Sequence, residues 1–461
     1  MRQFRFLDVE KKTYEPVTIT IWTYYNGAQL DGFNEQVEEF NRTVGSEHNI
    51  KVEADSHGSV NDLEMNVINS VTGKVGADPL PNIFAAYADN AYEIDQMGLI
   101  VDLRKYLTDK KCSKYIKGYL EEGDFDGNGS IKTFPVEKST ELLFLNDTDW
   151  QELSSATGIG YDALSTIEGV TATAEKYYEW TDSLTETPDD GKALFGQDAL
   201  ANYMLVGAKE FGCTIFSVDK DKKMTVNFGK DVARKLWDNY YIPFVKGYFG
   251  AAGRFRSDDV KTGNILCYVG SNSSATFFPE RVMTNDTDGH DIKIKVLQCP
   301  KFSDGDNYAV QQGAGMVVTT GTEREIEASV EFLKWFTSPE NSVKFTVESG
   351  YLPTTYEANN IDFIINSGIE LNDNMKEILT NAFEAVTDNK LYSSKGFDGA
   401  RDARKVLEYS MYDLAIADRQ AVVDSMAEGT SREDSLKEYL SDENFEKWYA
   451  DIYAKLCEYE G

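Results

Sequence analysis

The first apolar run of the chain alternates with polar residues, as a buried strand requires. Within residues 17–22 (VTITIW), the apolar side chains Val17, Ile19 and Ile21 occupy every second position. After a Tyr-Tyr-Asn-Gly turn signal, apolar side chains recur at spacings of three and four between residues 30 and 44, which is the period of an amphipathic helix. The chain therefore begins with a predicted strand followed by a predicted helix.

The alternation of strand and helix continues along the chain. The pattern predicts strands over residues 50–53 and 82–87 with a helix over 62–71 between them. Strands that alternate with helices form a mostly parallel sheet with helices on its faces, so we predict an α/β fold. Later elements are predicted as strands over 131–146, 265–269 and 292–297 and as helices over 161–180 and 231–241.

Helix boundaries are clearest in the last third of the chain. Thr322 and Glu325 have the spacing of a capping box, and Ser338 followed by Pro339 is typical of a helix start. That second helix is predicted to end before Gly350. The C-terminal region is predicted to be helical, with a core stripe of Leu436, Leu440, Phe445, Trp448, Ile452 and Leu456.

Composition and charge exclude several classes of function. The 461 residues carry 46 Lys and Arg against 78 Asp and Glu, a formal net charge of −32, and 41% of them are apolar. This apolar fraction predicts a buried core, in two or three structural units. The negative charge argues against nucleic-acid partners and anionic membrane surfaces, both of which select clustered Lys and Arg.

The N-terminal sequence is compatible with two cellular locations. Residues 1–16 have scattered charges and no apolar core, so they do not form a signal peptide. The protein is therefore either cytosolic or an exported protein whose signal segment is absent from this chain. No apolar run approaches the roughly 18 to 20 residues of a membrane-spanning helix.

The cysteines do not indicate a metal site or a disulfide framework. They are far apart, odd in number and without CxxC spacing: Cys112, Cys213, Cys267, Cys299 and Cys457. A single bridge between Cys267 and Cys299 remains open beside the alternative that each thiol is a small buried apolar group.

Catalytic motifs are weak. The three histidines, His48, His57 and His290, have no metal-ligand spacing, and residues 158–163 match GxGxxA only formally, because a polar segment precedes them in place of an apolar strand. A glycosidase-type carboxylate pair stays open, since sequence cannot measure the distance between carboxylates.

One segment resembles the start of a calcium-binding loop. Asp124, Asp126, Asn128 and Ser130 alternate as the oxygen ligands of an EF-hand do, with Gly129 at the bend. Pro135 stands where the bidentate Glu belongs, so a solvated turn is the competing interpretation. We predict a calcium site at these four residues, with the solvated turn as the alternative, and no other cofactor.

Several blocks of sequence, in order, resemble the extracellular solute-binding proteins of family 1, the sugar-binding components of ABC importers. The most specific block is residues 331–355 (EFLKWFTSPENSVKFTVESGYLPTT), with its Ser-Pro-Glu break and Gly-Tyr-Leu-Pro turn. Residues 81–107 and 135–150 resemble two earlier blocks, and 261–278 and 313–319 complete the series. The resemblance runs with gaps from about residue 17 to residue 410.

The resemblance implies a two-lobed, type II periplasmic-binding-protein-like fold with strands that cross between the lobes. Residues 17–138 and 312–353 would form lobe 1, and residues 139–311 and 354–461 would form lobe 2. It implies a non-enzymatic monomer that captures a carbohydrate between the lobes and delivers it to ABC permease subunits. It also implies an extracellular or periplasmic location with a lipid anchor.

Candidate ligand contacts combine the resemblance with the rule that ligands lie beyond the carboxyl ends of strands in α/β sheets. Aromatic and small polar residues follow several predicted strands, although core packing is the competing role for each ring. The predicted contacts are Trp22, Tyr24, Tyr25, Tyr87, Asp89, Ser139, Thr140, Ser271, Asn272, Gly313, Tyr351, Asp398 and Arg401.

Within the family, the chain is also similar to the glycerol-3-phosphate-binding branch, at residues 22–40, 138–146 and 395–404. That branch places an arginine two residues after a Lys-Gly-aromatic corner, whereas this chain has Asp398 nearby and its arginine later, at Arg401. Because a carboxylate repels phosphate, we favour a saccharide over a polyol phosphate, which remains the alternative.

Overall fold

The computed structural model describes residues 14–219, 222–283 and 288–461. Residues 1–13, most of the segment that lacks signal-peptide character, lie outside the described residues. The strands are β1 (Val17–Thr23), β2 (Ile50–Ser56), β3 (Ile83–Ala86), β4 (Phe134–Pro135), β5 (Glu141–Asn146), β6 (Phe195–Gln197), β7 (Phe216–Val218), β8 (Met224–Val226), β9 (Cys267–Ser271), β10 (Arg281–Met283), β11 (Gly289–Asp291), β12 (Ile294–Gln298), β13 (Tyr308–Val310), β14 (Gly315–Val318) and β15 (Lys390–Tyr392).

Helices cover both faces of the two main sheets. They are α1 (Gly27–Arg42), α2 (Val44–His48), α3 (Val60–Val71), α4 (Ala88–Gln96), α5 (Asp109–Cys112), α6 (Lys117–Glu121), α7 (Asp147–Thr157), α8 (Ile167–Asp182), α9 (Leu200–Glu210), α10 (Lys230–Val245), α11 (Arg256–Lys261), α12 (Glu323–Phe336), α13 (Pro339–Ser349), α14 (Ile361–Asn366), α15 (Asp373–Asp388), α16 (Ala400–Ala427), α17 (Arg432–Leu436) and α18 (Asp442–Cys457). Short 3-10 helices occupy Leu103–Lys105, Tyr161–Leu164 and Asn272–Phe277.

Two mixed sheets organise the molecule into two lobes. The first sheet has the order β2-β1-β3-β14-β4, in which β1, β2 and β3 are parallel and β14 is antiparallel to its neighbours. The second sheet has the order β12-β5-β9-β6. The predicted α/β class and the β-α-β-α-β order of the N-terminal part are confirmed.

Strand β5 lies between two hydrophobic cores of the second lobe. Leu143 and Leu145 point to one core, and Leu142 and Phe144 to the other, because alternate side chains face opposite sides of a sheet. A third core fills the first lobe between the first sheet and helices such as α1 and α12. Each lobe therefore has its own apolar interior.

Local boundary signals are confirmed at several helices. Thr322 accepts from the backbone N–H of Glu325, whose carboxylate accepts in return, so the capping box is present. Pro339 opens α13, and Gly350 ends it with φ of +75°. In the predicted C-terminal stripe, Leu436, Phe445, Trp448, Ile452 and Leu456 are buried, and Leu440 packs partly buried against the same core.

Two sequence-based elements need correction. Residues 131–146 do not form one strand: β4 ends at Pro135 and β5 begins at Glu141, because the residues between them cross to the other lobe. Residues 161–164 form a 3-10 turn, and α8 begins only at Ile167, after Thr166 has capped it through the Gly169 N–H.

Three segments cross between the lobes and are hydrogen-bonded to one another. We call residues 136–140, 311–314 and 350–354 the crossing segments. Ser139 and Gln312 exchange backbone hydrogen bonds of 3.0 and 2.9 Å, and Leu352 N–H donates to Lys138 O at 2.6 Å. The proposed lobe boundaries at 138/139, 311/312 and 353/354 fall inside these segments and stay a prediction.

The structure also bears on the candidate disulfide bond and on membrane-spanning helices. All five cysteines are free thiols, so the bridge between Cys267 and Cys299 that the sequence left open is not formed. Among the described residues, no helix combines the length and the apolar character that crossing a membrane requires.

Gly313→Ala is expected to destabilise the fold more than Gly368→Ala. Both glycines have left-handed backbones, with φ of +89° and +80°, and this conformation costs other residues roughly 1–2 kcal/mol. A Cβ at Gly313 would also lie 2.4 Å from Glu137 O, whereas nothing lies within 4 Å at Gly368. Urea denaturation measures both losses of unfolding free energy, and equal losses would contradict this account of the crossing segments.

Candidate ligand-binding cleft

A cavity of about 380 Å³ lies between the two lobes. The first lobe contributes Asn61 and Glu64 from α3, and Tyr87 and Asp89 from the junction of β3 and α4. The second lobe contributes Asn202 and Leu205 of α9, residues of the loop after β15, and Arg401, Arg404, Lys405, Glu408 and Tyr409 of α16. The size falls within the usual range of small-molecule sites, roughly 300–1,000 Å³.

Two tyrosine rings line this cavity from opposite lobes. Tyr87 is 37% exposed and Tyr409 is 52% exposed, although large apolar side chains are mostly buried in this protein. Tyr87 precedes α4 directly after β3, so the strand end delivers its ring to the cavity. An exposed aromatic face in a concave site offers a surface on which an apolar ligand face can stack.

An ion pair spans the cavity from one lobe to the other. Arg401 Nη2 lies 2.9 Å from Glu64 Oε2, and the same nitrogen donates to Asn61 Oδ1 at 3.4 Å. Burial raises the pKa of Glu64, and the charge of Arg401 opposes that rise. The pair therefore links α16 to α3 and holds two polar groups at the surface of the cavity.

A chain of hydrogen bonds runs from the cavity into the second lobe. Arg404 donates to Asn202 Oδ1 at 2.6 Å, and Asn202 Nδ2 donates to Glu141 Oε1 at 2.7 Å. Burial raises the pKa of Glu141 to about 7, against the hydrogen bond from Asn202. Gln312 lines the cavity, and its buried Oε1 atom has no hydrogen-bond partner among the described residues.

A second compartment of about 400 Å³ adjoins the first. Glu122, Gln311, Ser394 and Lys395 line both compartments. The second compartment is also lined by Tyr92, by the turn over residues 124–127 and by residues 218, 219 and 222. The last three lie at the end of β7 and just before β8. The two compartments form one cleft between the lobes.

A buried carboxyl lies behind the cleft, among tyrosines. Glu137, in the first crossing segment, is fully buried and accepts from the Tyr24 hydroxyl at 3.3 Å. Tyr24 also approaches the Tyr351 hydroxyl at 3.5 Å and stacks on Tyr87. Burial raises the pKa of Glu137 to about 8, and the neighbouring tyrosine hydroxyls, among them that of Tyr24, oppose this rise. The stacking of Tyr24 on Tyr87 therefore connects this buried cluster to the cleft wall.

The structure brings three of the predicted contacts to the cleft wall. Tyr87, Asp89 and Arg401 line the first compartment. Tyr24 and Tyr351 lie directly behind Tyr87 and are 8% and 6% exposed. The ligand-binding roles of these residues stay a prediction.

The other predicted contacts lie elsewhere. Trp22 is 5% exposed and packs on His57, with ring centroids 4.3 Å apart, because its ring turns toward the core. Tyr25 is fully buried against Phe33 and Phe345. Asp398 is exposed and outside both compartments, and the Ser271 hydroxyl bonds that of Ser273 at 2.9 Å.

Four further predicted contacts belong to the crossing segments and their supports. Asn272 accepts from Thr140 N–H at 2.7 Å and donates to Gly350 O at 2.5 Å. Ser139 pairs with Gln312 through its backbone, and Gly313 O accepts from the buried Lys138 ammonium at 2.9 Å. Ser139, Thr140, Asn272 and Gly313 therefore hold the connection between the lobes and do not line either compartment.

The geometry does not favour calcium at the Asp-rich turn. Asp124 accepts from the backbone N–H groups of Asn128, Gly129 and Ser130 and from the Ser130 hydroxyl, at 3.0 to 3.1 Å. Asp126 forms an ion pair with Lys222. Across the described ranges, no group of three His, Cys, Asp or Glu side chains gathers as metal ligands would. Asp124 therefore holds the turn through hydrogen bonds from its backbone.

Sequence reasoning missed much of the second-lobe wall. Asn202, Gln312, Lys395, Arg404, Glu408 and Tyr409 were not predicted to line the cleft. Arg401, Arg404, Lys405 and Glu408 recur at spacings of three and four, which placed a polar stripe on one face of a helix. That stripe was the available signal, but only the packing of α16 shows that it faces the cleft.

Comparison with known proteins gives a family and a fold. A model of bacterial extracellular solute-binding proteins matches residues 35–369. UgpB from Mycobacterium tuberculosis, solved with glycerophosphocholine, superposes with a TM-score of 0.67 at 14% identity, covering 96% of this chain and 100% of that one. No curated protein sequence matches this chain.

Two further solved structures have the same fold. The GacH receptor of Streptomyces glaucescens, studied with acarbose, gives a TM-score of 0.66 at 16% identity, over 96% of this chain and 99% of that one. The cyclic alpha-maltosyl-1,6-maltose binding protein of Arthrobacter globiformis gives 0.64 at 17% identity, over 92% and 97%. These likenesses confirm the predicted two-lobed fold.

Glu137→Gln is expected to flatten the dependence of stability on pH. The pKa of Glu137 is about 8 in the folded protein against an ordinary value of 4.5, so the folded state binds more protons between these values. The free energy of unfolding therefore falls as pH rises from about 5 to about 8, and Gln removes this contribution. Urea denaturation across that range checks it.

The matched control for this experiment is Glu340→Gln, which changes an exposed glutamate of α13. It should leave the pH dependence of the unfolding free energy unchanged. A Glu137→Gln variant whose pH dependence equals that of the unchanged protein would contradict the assignment of a proton to the buried carboxyl.

Proposed function

The chain belongs to the bacterial extracellular solute-binding proteins, and we propose that it is the substrate-binding component of an ABC importer that captures a neutral carbohydrate between its lobes. The observation that carries this proposal is the composition of the first compartment. Exposed Tyr87 and Tyr409 face a wall with four carboxylates and four cationic side chains, which balance in formal charge. Aromatic faces suit sugar C–H faces, and paired polar groups suit sugar hydroxyls.

The mechanism follows from the two walls. A ligand that contacts Tyr87 and Glu64 on one lobe and Arg404 and Tyr409 on the other gains all of its contacts only when the lobes are together. It therefore shifts the population toward the closed state. A membrane permease then recognises the closed, loaded form. We place the protein outside the cytoplasmic membrane, as a lipid-anchored monomer.

A binding role accounts better than catalysis for three of the four carboxylates of the first compartment. Glu64 pairs with Arg401, and Glu122 pairs with the buried Lys138 ammonium. Glu408 accepts from the backbone N–H groups of Leu200 and Ala201 at 3.0 and 2.8 Å, at the start of α9. General acid–base catalysis requires a carboxyl that exchanges protons with the substrate, and these three are committed to protein partners.

A polyol phosphate is the second candidate, and one observation favours it. The cations Lys395, Arg401, Arg404 and Lys405 all come from the second lobe, while Glu64, Asp89 and Glu122 come from the first. A phosphate group could therefore lie against the second lobe and the polyol against the first. The similarity of fold to UgpB agrees with this alternative.

A thermal-shift screen should separate the two candidates. We expect neutral oligosaccharides to raise the melting temperature and glycerol phosphates to leave it unchanged. A ligand at 100 times its Kd adds about 2.7 kcal/mol to the free energy of unfolding, which is readily detected. Stabilisation by glycerol 3-phosphate or glycerophosphocholine alone would overturn the carbohydrate proposal in favour of the second candidate.

Tyr87→Ala and Tyr409→Ala are each expected to weaken saccharide binding by roughly tenfold or more, since loss of an aromatic contact of about 1.4 kcal/mol corresponds to tenfold in Kd. The control is Tyr453→Ala in α18, because Tyr453 is 37% exposed, as Tyr87 is, but lies outside the cleft. Isothermal titration calorimetry measures the three Kd values. An unchanged Kd in both cleft variants would remove these rings from the site.

A further inference from the structure

A second ion pair joins the lobes at the far side of the cleft. Lys222 Nζ lies 3.0 Å from Asp126 Oδ1 and 5.8 Å from the centre of the Tyr92 ring. Lys222 and Asp126 line the second compartment and not the first, whereas Arg401 and Glu64 line the first and not the second. The two pairs therefore lie on opposite sides of the four residues that the compartments share.

The two pairs differ in their surroundings. Arg401 and Lys222 are equally exposed, at 39%, but the side chain of Glu64 is only 10% exposed, so the Arg401–Glu64 pair has its carboxylate inside the cleft. Lys222 and Asp126 are 39% and 31% exposed, so their pair lies where the second compartment meets solvent. A separation of 3.0 Å between Nζ and Oδ1 leaves no room for a sugar ring to pass.

Both partners of the outer pair are presented by turns that a carboxylate holds in shape. Asp124 accepts four hydrogen bonds from residues 128–130, and this fixes the turn that carries Asp126. Asp219 Oδ1 accepts from Lys223 N–H at 3.0 Å, and Asp219 O accepts from Lys222 N–H at 3.1 Å. Hydrogen bonds within the turn therefore position Asp126, and Lys222 and Lys223 are both tied to Asp219.

Lys222 lies just before a strand that is anchored to the C-terminus. Lys222 has φ of +64°, a left-handed conformation that is uncommon for residues other than glycine. Strand β8 is in turn anchored to the C-terminal residues, since Met224 N–H donates to Gly461 O at 3.0 Å and Val226 N–H donates to the Glu460 carboxylate at 2.7 Å.

We propose that the Lys222–Asp126 ion pair is an end wall that limits the length of the saccharide the cleft accepts. This proposal rests on the proposed function. A saccharide extends from the tyrosines of the first compartment past the shared residues, and its far end stops at the ion pair. A chain with one more unit must break the pair and displace the two turns, so its affinity falls.

The test compares ladders of neutral oligosaccharides, the malto, cello and xylo series from two to seven units, by isothermal titration calorimetry. In the unchanged protein, Kd is expected to rise at least tenfold when one unit is added beyond the preferred length. Lys222→Asn removes the charge and shortens the side chain, and Asn tolerates the left-handed backbone. In this variant the rise in Kd is expected to disappear for the next longer sugar.

Lys223→Asn is the matched control. It removes the same charge from the neighbouring position of the same turn, where the side chain is exposed and outside the second compartment. It should retain the length limit. Asp126→Asn removes the other partner and should reproduce the effect of Lys222→Asn, which keeps the proposal testable if the Lys222 variant folds poorly.

Three results would contradict the proposal that the Lys222–Asp126 pair limits the length of the saccharide. These are the absence of a length limit in the unchanged protein, an unchanged limit in both Lys222→Asn and Asp126→Asn, and an equal loss of the limit in Lys223→Asn. Each of them leaves carbohydrate binding intact. Failure of every oligosaccharide to bind the unchanged protein, with binding of glycerol 3-phosphate, would instead overturn the proposed function and this proposal with it.

Discussion

The hydrogen bonds among the three crossing segments are the constraint on which the cleft depends. Ser139 pairs with Gln312, Lys138 pairs with Leu352, and the Lys138 ammonium reaches Gly313 O, so segments far apart in sequence meet at one place. Each lobe has its own apolar core, and the crossing segments fix where one core lies relative to the other. The buried Glu137 lies within the first crossing segment among its tyrosines, and the buried Glu141 directly follows that segment and accepts from Asn202. The hinge is therefore lined with polar groups whose hydrogen bonds specify its geometry.

Charge is distributed differently over the surface and in the cleft. The chain carries a formal charge of −32, yet the first compartment combines four carboxylates with four cationic side chains. In the first compartment Arg401 pairs with Glu64, and in the second Lys222 pairs with Asp126. Both ion pairs join one lobe to the other. The acidic surface favours solubility, and the charge balance that suits a ligand without net charge is confined to the first compartment, since the second is lined by five carboxylates and two ammonium groups. The net charge of the whole sequence does not reveal this local balance.

The sequence was sufficient for the elements whose signals are local. Alternation in β1, the capping box at Thr322 and the Pro339 helix start were read correctly because each depends on neighbouring residues. Tyr87, Asp89 and Arg401 line the cleft and Trp22 does not, since a strand end does not reveal whether a ring turns to the core or to the cleft. Asn202, Arg404 and Tyr409 were missed because their helices, α9 and α16, reach the cleft only through long-range packing. Asn272 and Gly313 have the residue types of a ligand site, yet their hydrogen bonds serve the crossing segments.

Hydrogen–deuterium exchange, with and without the oligosaccharide that stabilises the protein most, tests the central claim that ligand is held between the lobes. The account predicts slower exchange on both sides of the cleft, at residues 87–92 of the first lobe and 392–409 of the second, and at 311–313 in the crossing segment between them. A groove of about 690 Å³ on the second lobe alone, at residues 278–280, 292–294 and 372–378, offers a competing site. Protection confined to that groove, with unchanged exchange at residues 87–92, would contradict a site shared by the two lobes.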